Sequence, residues 1–156
     1  MEEKLKKKRS EYFDKWDKAY NKTLEEVNRI VNNLDYIKKN DDPIFQDMSL
    51  KFFSIHLANF FYFHVRKKLI EKGINKQDEK LLLTGFTNDS FLPPVNLMDQ
   101  YLSYLNIAEN KLEELHDEYN ILNTLRNKYA HGATGETNVQ ITFDQFNKYF
   151  DDIKLI

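Results

Sequence analysis

The sequence predicts an all-α protein, a compact bundle of about five to six helices forming one domain over residues 1–156. Three observations carry this expectation. Apolar residues recur at steps of three and four along most of the chain, the spacing of a single helical face. Four glycines and three prolines leave too little turn chemistry for a many-stranded β fold. A hydrophobic content of 41%, with 14% aromatic, supplies a core and argues against disorder.

The first helix is expected from about Ser10 to Lys39, where Tyr12, Phe13, Trp16, Tyr20, Leu24, Val27, Ile30, Val31, Leu34 and Ile37 form one stripe. The run "NDDP", ending at Pro43, breaks it. A second helix opens near Asp47 or Ser49 and runs to Lys72, with Gly73 as its stop. Between Phe52 and Val65 it is apolar on nearly every side, the pattern of a central buried helix. Its polar members are therefore informative. His56, Asn59 and Phe63 share a face, and the expectation for a histidine here is a hydrogen bond to a neighbouring helix, with a cleft-facing role for His56 as the alternative. A short helix over Lys76 to Thr84, a turn-rich connector "TNDSFLPPVN", and a helix capped by Asn96 and running through Leu105 follow. Ile107, Ala108, Leu112, Leu115, Tyr119, Leu122 and Leu125 then predict a long helix with an acidic, solvent-facing flank over residues 109–118. After Gly132 and Gly135, "NVQI" reads as a short extended piece. The last helix starts at Thr142, whose hydroxyl with Gln145 makes a capping box, and buries Phe143, Phe146, Phe150 and Ile153.

Composition also excludes functions. The absence of cysteine removes disulfides, thiolate zinc sites and a cysteine nucleophile. A net charge of −2 gives no global attraction to nucleic acid. Local basic runs exist at residues 1–9 and at Arg66 to Lys72, which read first as solvated helix ends. No stretch reads as a secretion signal, and the most hydrophobic window is too short to span a bilayer, so a cytoplasmic protein without a membrane partner is expected.

The stretch "LRNKYAHG", Leu125 to Gly132, departs from this plain helical pattern. On a continuous helix Asn127 and His131 lie four apart on one face, near enough for the amide to orient the imidazole. Arg126 points about 140° away from His131, but its long side chain can swing back where the helix loosens at Gly132. An arginine suits a phosphate that gains charge in a transition state, and a histidine that titrates near neutrality suits proton transfer. No serine or cysteine nucleophile is evident, so phosphodiester cleavage fits better than acyl transfer. No H-E-x-x-H arrangement or two-metal carboxylate cluster is evident, so neither a metal nor a cofactor is expected. Spacing alone leaves a second reading open, a basic helix end that complements its dipole.

The flanks of this stretch bear on that choice. "LRNKYAHG" resembles the R-x4–6-H signature of the HEPN superfamily, in which a polar residue, often asparagine, follows the arginine, as Asn127 does here. "FFSIHLANFFYFHVRKKL" is similar to the family's apolar helix with a central histidine. "VNLMDQYLSYLNI" resembles the segment before the motif helix in the RiboL-PSP type, and "ITFDQFNKYFDDIKLI" its closing helix. The resemblance covers roughly residues 45–156.

The resemblance implies an HEPN-like bundle and a metal-independent endoribonuclease. RNA is its substrate: the 2′-hydroxyl attacks the adjacent phosphate and leaves a 2′,3′-cyclic phosphate. It also implies a homodimer whose composite cleft holds two Arg126/Asn127/His131 sets. His131 would handle protons, Arg126 would stabilise the phosphorane and Asn127 would orient substrate or imidazole. Lys128, Tyr129 and His56 are candidates for binding substrate. A toxin or antiviral defence effector, with an antitoxin or defence-system partner, is the expected setting. The alternative is a non-catalytic HEPN module that binds RNA, nucleotide or protein. Two departures are visible. Ala133 stands where toxins paired with a minimal nucleotidyltransferase carry tyrosine, and "HLANFF" lacks the glutamate many relatives place after the helical histidine.

Overall fold

The computed structural model describes residues 2–72, 92–130 and 139–156. These form six helices and, among the described residues, no strand: α1 (Glu2–Asn32), α2 (Leu34–Lys38), α3 (Pro43–Glu71), α4 (Val95–Ser103), α5 (Glu109–Ala130) and α6 (Phe143–Lys154). The all-helical bundle expected from the periodicity is the observed architecture.

Helix boundaries follow local chemistry. The stripe read as one helix to Lys39 is divided at Asn33, whose Nδ2 donates to the Arg29 carbonyl at 2.7 Å while its backbone N–H turns to Ile30 at 3.1 Å. An asparagine that satisfies backbone groups with its own amide competes with helix continuation. The next helix opens at Pro43, earlier than Asp47 or Ser49. Asp42 caps it by accepting from the Ile44 N–H at 3.0 Å, and Pro43 takes the first helical position, where a missing N–H costs nothing. The proline read as a breaker therefore opens a helix instead, the preceding one having ended at Lys38. α4 starts one residue before Asn96, with Pro94 in the cap position, and it stops at Ser103. The left-handed backbone of Asn106, at φ 54°, then reverses the chain into α5. The Thr142–Gln145 capping box is present as expected. The expected helix over 76–84 and residues 87–91 of the connector lie outside the described residues. Residues 139–141 of the expected extended piece carry no strand.

α3 is the axis of the bundle. Its rings meet three neighbours: Phe60 meets Tyr20 of α1 at 5.9 Å, Phe61 meets Tyr119 of α5 at 5.1 Å, and Phe53 meets Phe146 of α6 at 5.6 Å. Lys51 lies over Tyr129 whereas Phe61 lies over Tyr119, so α3 and α5 run antiparallel. The N-terminal half of α3 thus borders the C-terminal end of α5. On α6, Phe146, Phe150 and Ile153 are buried, joined by Tyr149, while Phe143 is only partly covered. Removing a fully buried ring such as Phe150 costs about 3–5 kcal/mol.

Two buried polar side chains refine the sequence reading. His64 is the buried histidine bonded to a neighbouring helix, its Nδ1 lying 3.1 Å from the Tyr20 hydroxyl. Arg66, read as part of a solvated basic run, is buried instead. Its guanidinium stacks 4.6 Å from both the Trp16 and Phe63 rings, which help remove it from water. Among the described residues no helix is long and apolar enough to cross a membrane.

Candidate functional site

The C-terminal end of α5 presents both faces of an amphipathic helix at once. Leu122 and Leu125 are fully buried and hold the helix against α3. Arg126 falls two turns after buried Tyr119, on nearly the same face, and is half-buried. Burial pushes the Tyr119 hydroxyl far up, and the Arg126 charge opposes that, which puts the guanidinium within electrostatic reach of the phenol. The Tyr119 hydroxyl donates to the Pro93 carbonyl at 2.5 Å and so pins the segment before α4 to this helix. Asn127 is exposed beside Arg126, whose Nη1 approaches its Oδ1 at 3.5 Å, the outer edge of hydrogen-bond range.

Lys128 and Tyr129 complete the turn, with the Lys128 ammonium 5.6 Å from the Tyr129 ring centroid. A third helix position, Lys51 of α3, joins them at 5.5 Å from the same ring. Lys51 also holds Asp47 at 2.9 Å. Burial raises the Tyr129 hydroxyl above its usual range despite Lys51, so it stays a neutral donor at pH 7. Lys51 and Lys128 share the Tyr129 ring, with Asp47 on Lys51, and Arg126 and Asn127 precede them on the same turn of α5, groups suited to phosphate esters and bases. His131 follows directly on α5 but lies outside the described residues.

His56 is not part of this gathering. It sits about 140° around α3 from Lys51, on the side of α1. Burial lowers its pKa, partly opposed by Glu26 of α1. Its ring packs edge-on to Phe52 at 4.3 Å. A role in binding the same substrate as Arg126 would need a surface that wraps α3.

Sequence reading did not find Lys51, because nothing links positions 51 and 129 before the helices pair. It also took residues 109–118 as a solvent-facing flank, and Glu118 contradicts that. Glu118 is buried, and its carboxylate joins Glu114 and Asp152 in a triad whose ligand oxygens lie within 4.8 Å of one another. The Lys148 ammonium is 2.6 Å from Glu114, 3.1 Å from Glu118 and 2.8 Å from Asp152. It fills the position a metal cation would take. Burial, then a hydrogen bond with Asp152, raises the Glu118 pKa to about 8, so Glu118 carries the proton of the pair at neutral pH. Elsewhere, the His116 Nδ1 lies 2.8 Å from Asp99 at the rim of an open cavity of about 380 Å³, also lined by Glu113 and Asp117.

Comparison of the chain with family models, with curated proteins and with solved structures gives no match in any of the three.

Proposed function

We propose that this protein is a metal-independent endoribonuclease of the HEPN type, acting as a homodimer in the cytoplasm. The observation that carries the reading is the last turn of α5. It sets half-buried Arg126 against exposed Asn127, one turn before His131 in the sequence, at an end of the molecule enriched in cations. In this reading the RNA 2′-hydroxyl attacks the adjacent phosphorus while His131 takes its proton. The P–O5′ bond breaks, the proton passes from His131 to the leaving oxygen, and the products are a 2′,3′-cyclic phosphate and a 5′-hydroxyl. Arg126 neutralises charge on the phosphorane oxygens, and its partial burial raises the strength of that interaction. Asn127 orients the phosphate or the imidazole. Tyr129 and Lys128 hold the flanking nucleotide by stacking and charge. Such an activity suits a toxin or antiviral effector restrained by an antitoxin or defence-system partner.

The test is incubation of purified protein with structured RNA in EDTA. The reading expects fragments that end in cyclic phosphate, and a loss of about 10²–10⁴ in rate for His131→Ala. Undiminished cleavage by His131→Ala would sink it. RNA binding that Arg126→Ala weakens, without turnover, would identify a non-catalytic module instead.

A further inference from the structure

We propose that α1 is an RNA-binding helix, which holds the phosphate chain along a stripe of lysines remote from the candidate catalytic turn. Lys4, Lys7, Lys8, Lys15, Lys18 and Lys22 fall within an arc of about 100° on α1 and span about 27 Å of its length. From Lys4 to Lys22 that arc carries one carboxylate, Glu11, with Asp14 at its border. The next positions on it are Glu25 and Glu26, where the stripe stops. The basic run at residues 1–9 is therefore the beginning of a longer pattern and not an isolated helix end.

The stripe faces outward. It lies about 150° around α1 from Trp16, Tyr20 and Val27, which bury the helix in the core against α3. Lys15, Lys18 and Lys22 are exposed. Lysines on other helices are held by acids: Lys38 by Asp144 at 2.7 Å, Lys111 by Glu114 at 3.1 Å and Lys154 by Asp151 at 3.3 Å. Lys18 and Lys22 form no ion pair among the described residues. Lys67 of the second basic run stands over the Tyr20 ring at 4.2 Å. It is on the flank where Asp17 and Glu71 line an open cavity, so it is not part of the stripe. Lysines three and four apart on one face repel each other, and a polyanion relieves that repulsion.

Chemistry selects RNA over a membrane. A helix that lies on a bilayer inserts an apolar face beside its lysines, and the apolar face of α1 is buried in the core. The Trp16 and Tyr20 rings are buried with it and cannot stack on a base, so the contact reads phosphates and not sequence. The stripe runs beside the C-terminal half of α3. Trp16 meets Arg66, which is about 22 Å along that helix from Lys51. A bound RNA is therefore held at two separate places, at the turn that ends α5 and along α1. That the polyanion is RNA rests on the ribonuclease reading; the attraction of the stripe for a phosphate chain does not.

The test is fluorescence anisotropy with a labelled, structured 2′-O-methyl RNA, which has no 2′-hydroxyl to attack and so cannot be cleaved. The triple variant Lys15→Ala/Lys18→Ala/Lys22→Ala should weaken binding about tenfold, and the salt dependence of the binding constant should lose about two units of slope. Alanine keeps the helix, which circular dichroism verifies. Lys38→Ala/Lys111→Ala/Lys154→Ala removes the same charge from other helices and should weaken binding less than about twofold. Unchanged affinity and slope in the first triple overturn the proposal, and so does an equal loss in the second. A parent chain that binds no RNA overturns it as well; binding to phosphatidylserine vesicles in its place would assign the stripe to a membrane. Stripe-dependent binding without cleavage of unmodified RNA keeps the stripe and sinks the ribonuclease reading. Cleavage of unmodified RNA with equal kcat/KM in the parent and the first triple does the reverse.

Discussion

The two ends of α5 use charge in opposite ways. Toward its N-terminus, Glu114 and Glu118 meet Lys148 and Asp152 of α6, and one ammonium satisfies three carboxyl groups. Toward its C-terminus, Asn127 is exposed, and Lys128 shares an aromatic ring with Lys51. The first end is richer in charge, yet its charges close on each other and join two helices. The second has fewer, but it offers donors and a ring to a ligand. Which partner helix arrives decides whether a charged turn becomes structure or surface.

Substitutions should separate the two ends. The largest effect belongs to Arg126→Ala, expected to lower cleavage about 10³-fold in single-turnover assays, or roughly 4 kcal/mol in the barrier. Its melting temperature should stay within a few degrees of the parent; a collapse in stability with equal loss of activity would make Arg126 structural.

The acidic end should instead reveal itself through pH. Glu118 has its folded pKa raised to about 8, so its contribution is fully present below the unfolded value and is lost as pH rises through 8. His64 is the opposite case. Burial, with Lys68 nearby, lowers it to about 4, so its contribution is present above the unfolded value near 6.5 and is lost as pH falls toward 4. The two trends oppose each other between about pH 4.5 and 6.5 and leave a plateau there. From pH 6.5 to 8 stability should drop by about 2 kcal/mol, or roughly 5 °C in Tm. Glu118→Gln keeps the shape and a donor toward Asp152 without titrating, so its melting curve should not show that drop. An equal drop in the variant would locate the pH dependence elsewhere.

Smaller effects sharpen the contrast. Lys148→Met should destabilise the protein by about 1–2 kcal/mol in urea titrations at pH 7, since it leaves the Glu114 and Asp152 carboxylates side by side without their half-exposed, solvent-screened ammonium. RNA cleavage at a permissive temperature should be unchanged. Lys51→Ala should weaken RNA binding only about threefold, and the salt dependence of the binding constant should lose about 0.7 of a unit in slope. A slope that does not change would show that Lys51 meets no phosphate.

Much of the fold was legible in the chain because helical periodicity is local. The apolar run of α3, the Thr142–Gln145 box and the buried face of α6 each need only neighbours within a few residues. The misreadings also have local causes. Asn33 and Pro43 act through backbone hydrogen bonding, and both favour helix ends as readily as they disfavour interiors. Arg66 and Glu118 were read by residue type as solvent-facing. They are buried because Trp16 and Lys148, each some 30 to 50 positions away, supply a ring and an ammonium.

The candidate site divides along the same line. Arg126, Asn127 and the helix that carries them were readable as a motif, since all lie within one turn. Their meeting with Lys51 was not, nor was the turning of His56 toward α1. The sequence by itself determined an all-helical chain, a central buried helix and a polar turn closing α5, because periodicity and capping act over a few residues. Only the tertiary structure decided that Lys148 closes the acidic half of α5, and that Lys51 of α3 covers Tyr129. Those outcomes depend on which helices pair and in which direction, and pairing is set by the summed burial of the whole core.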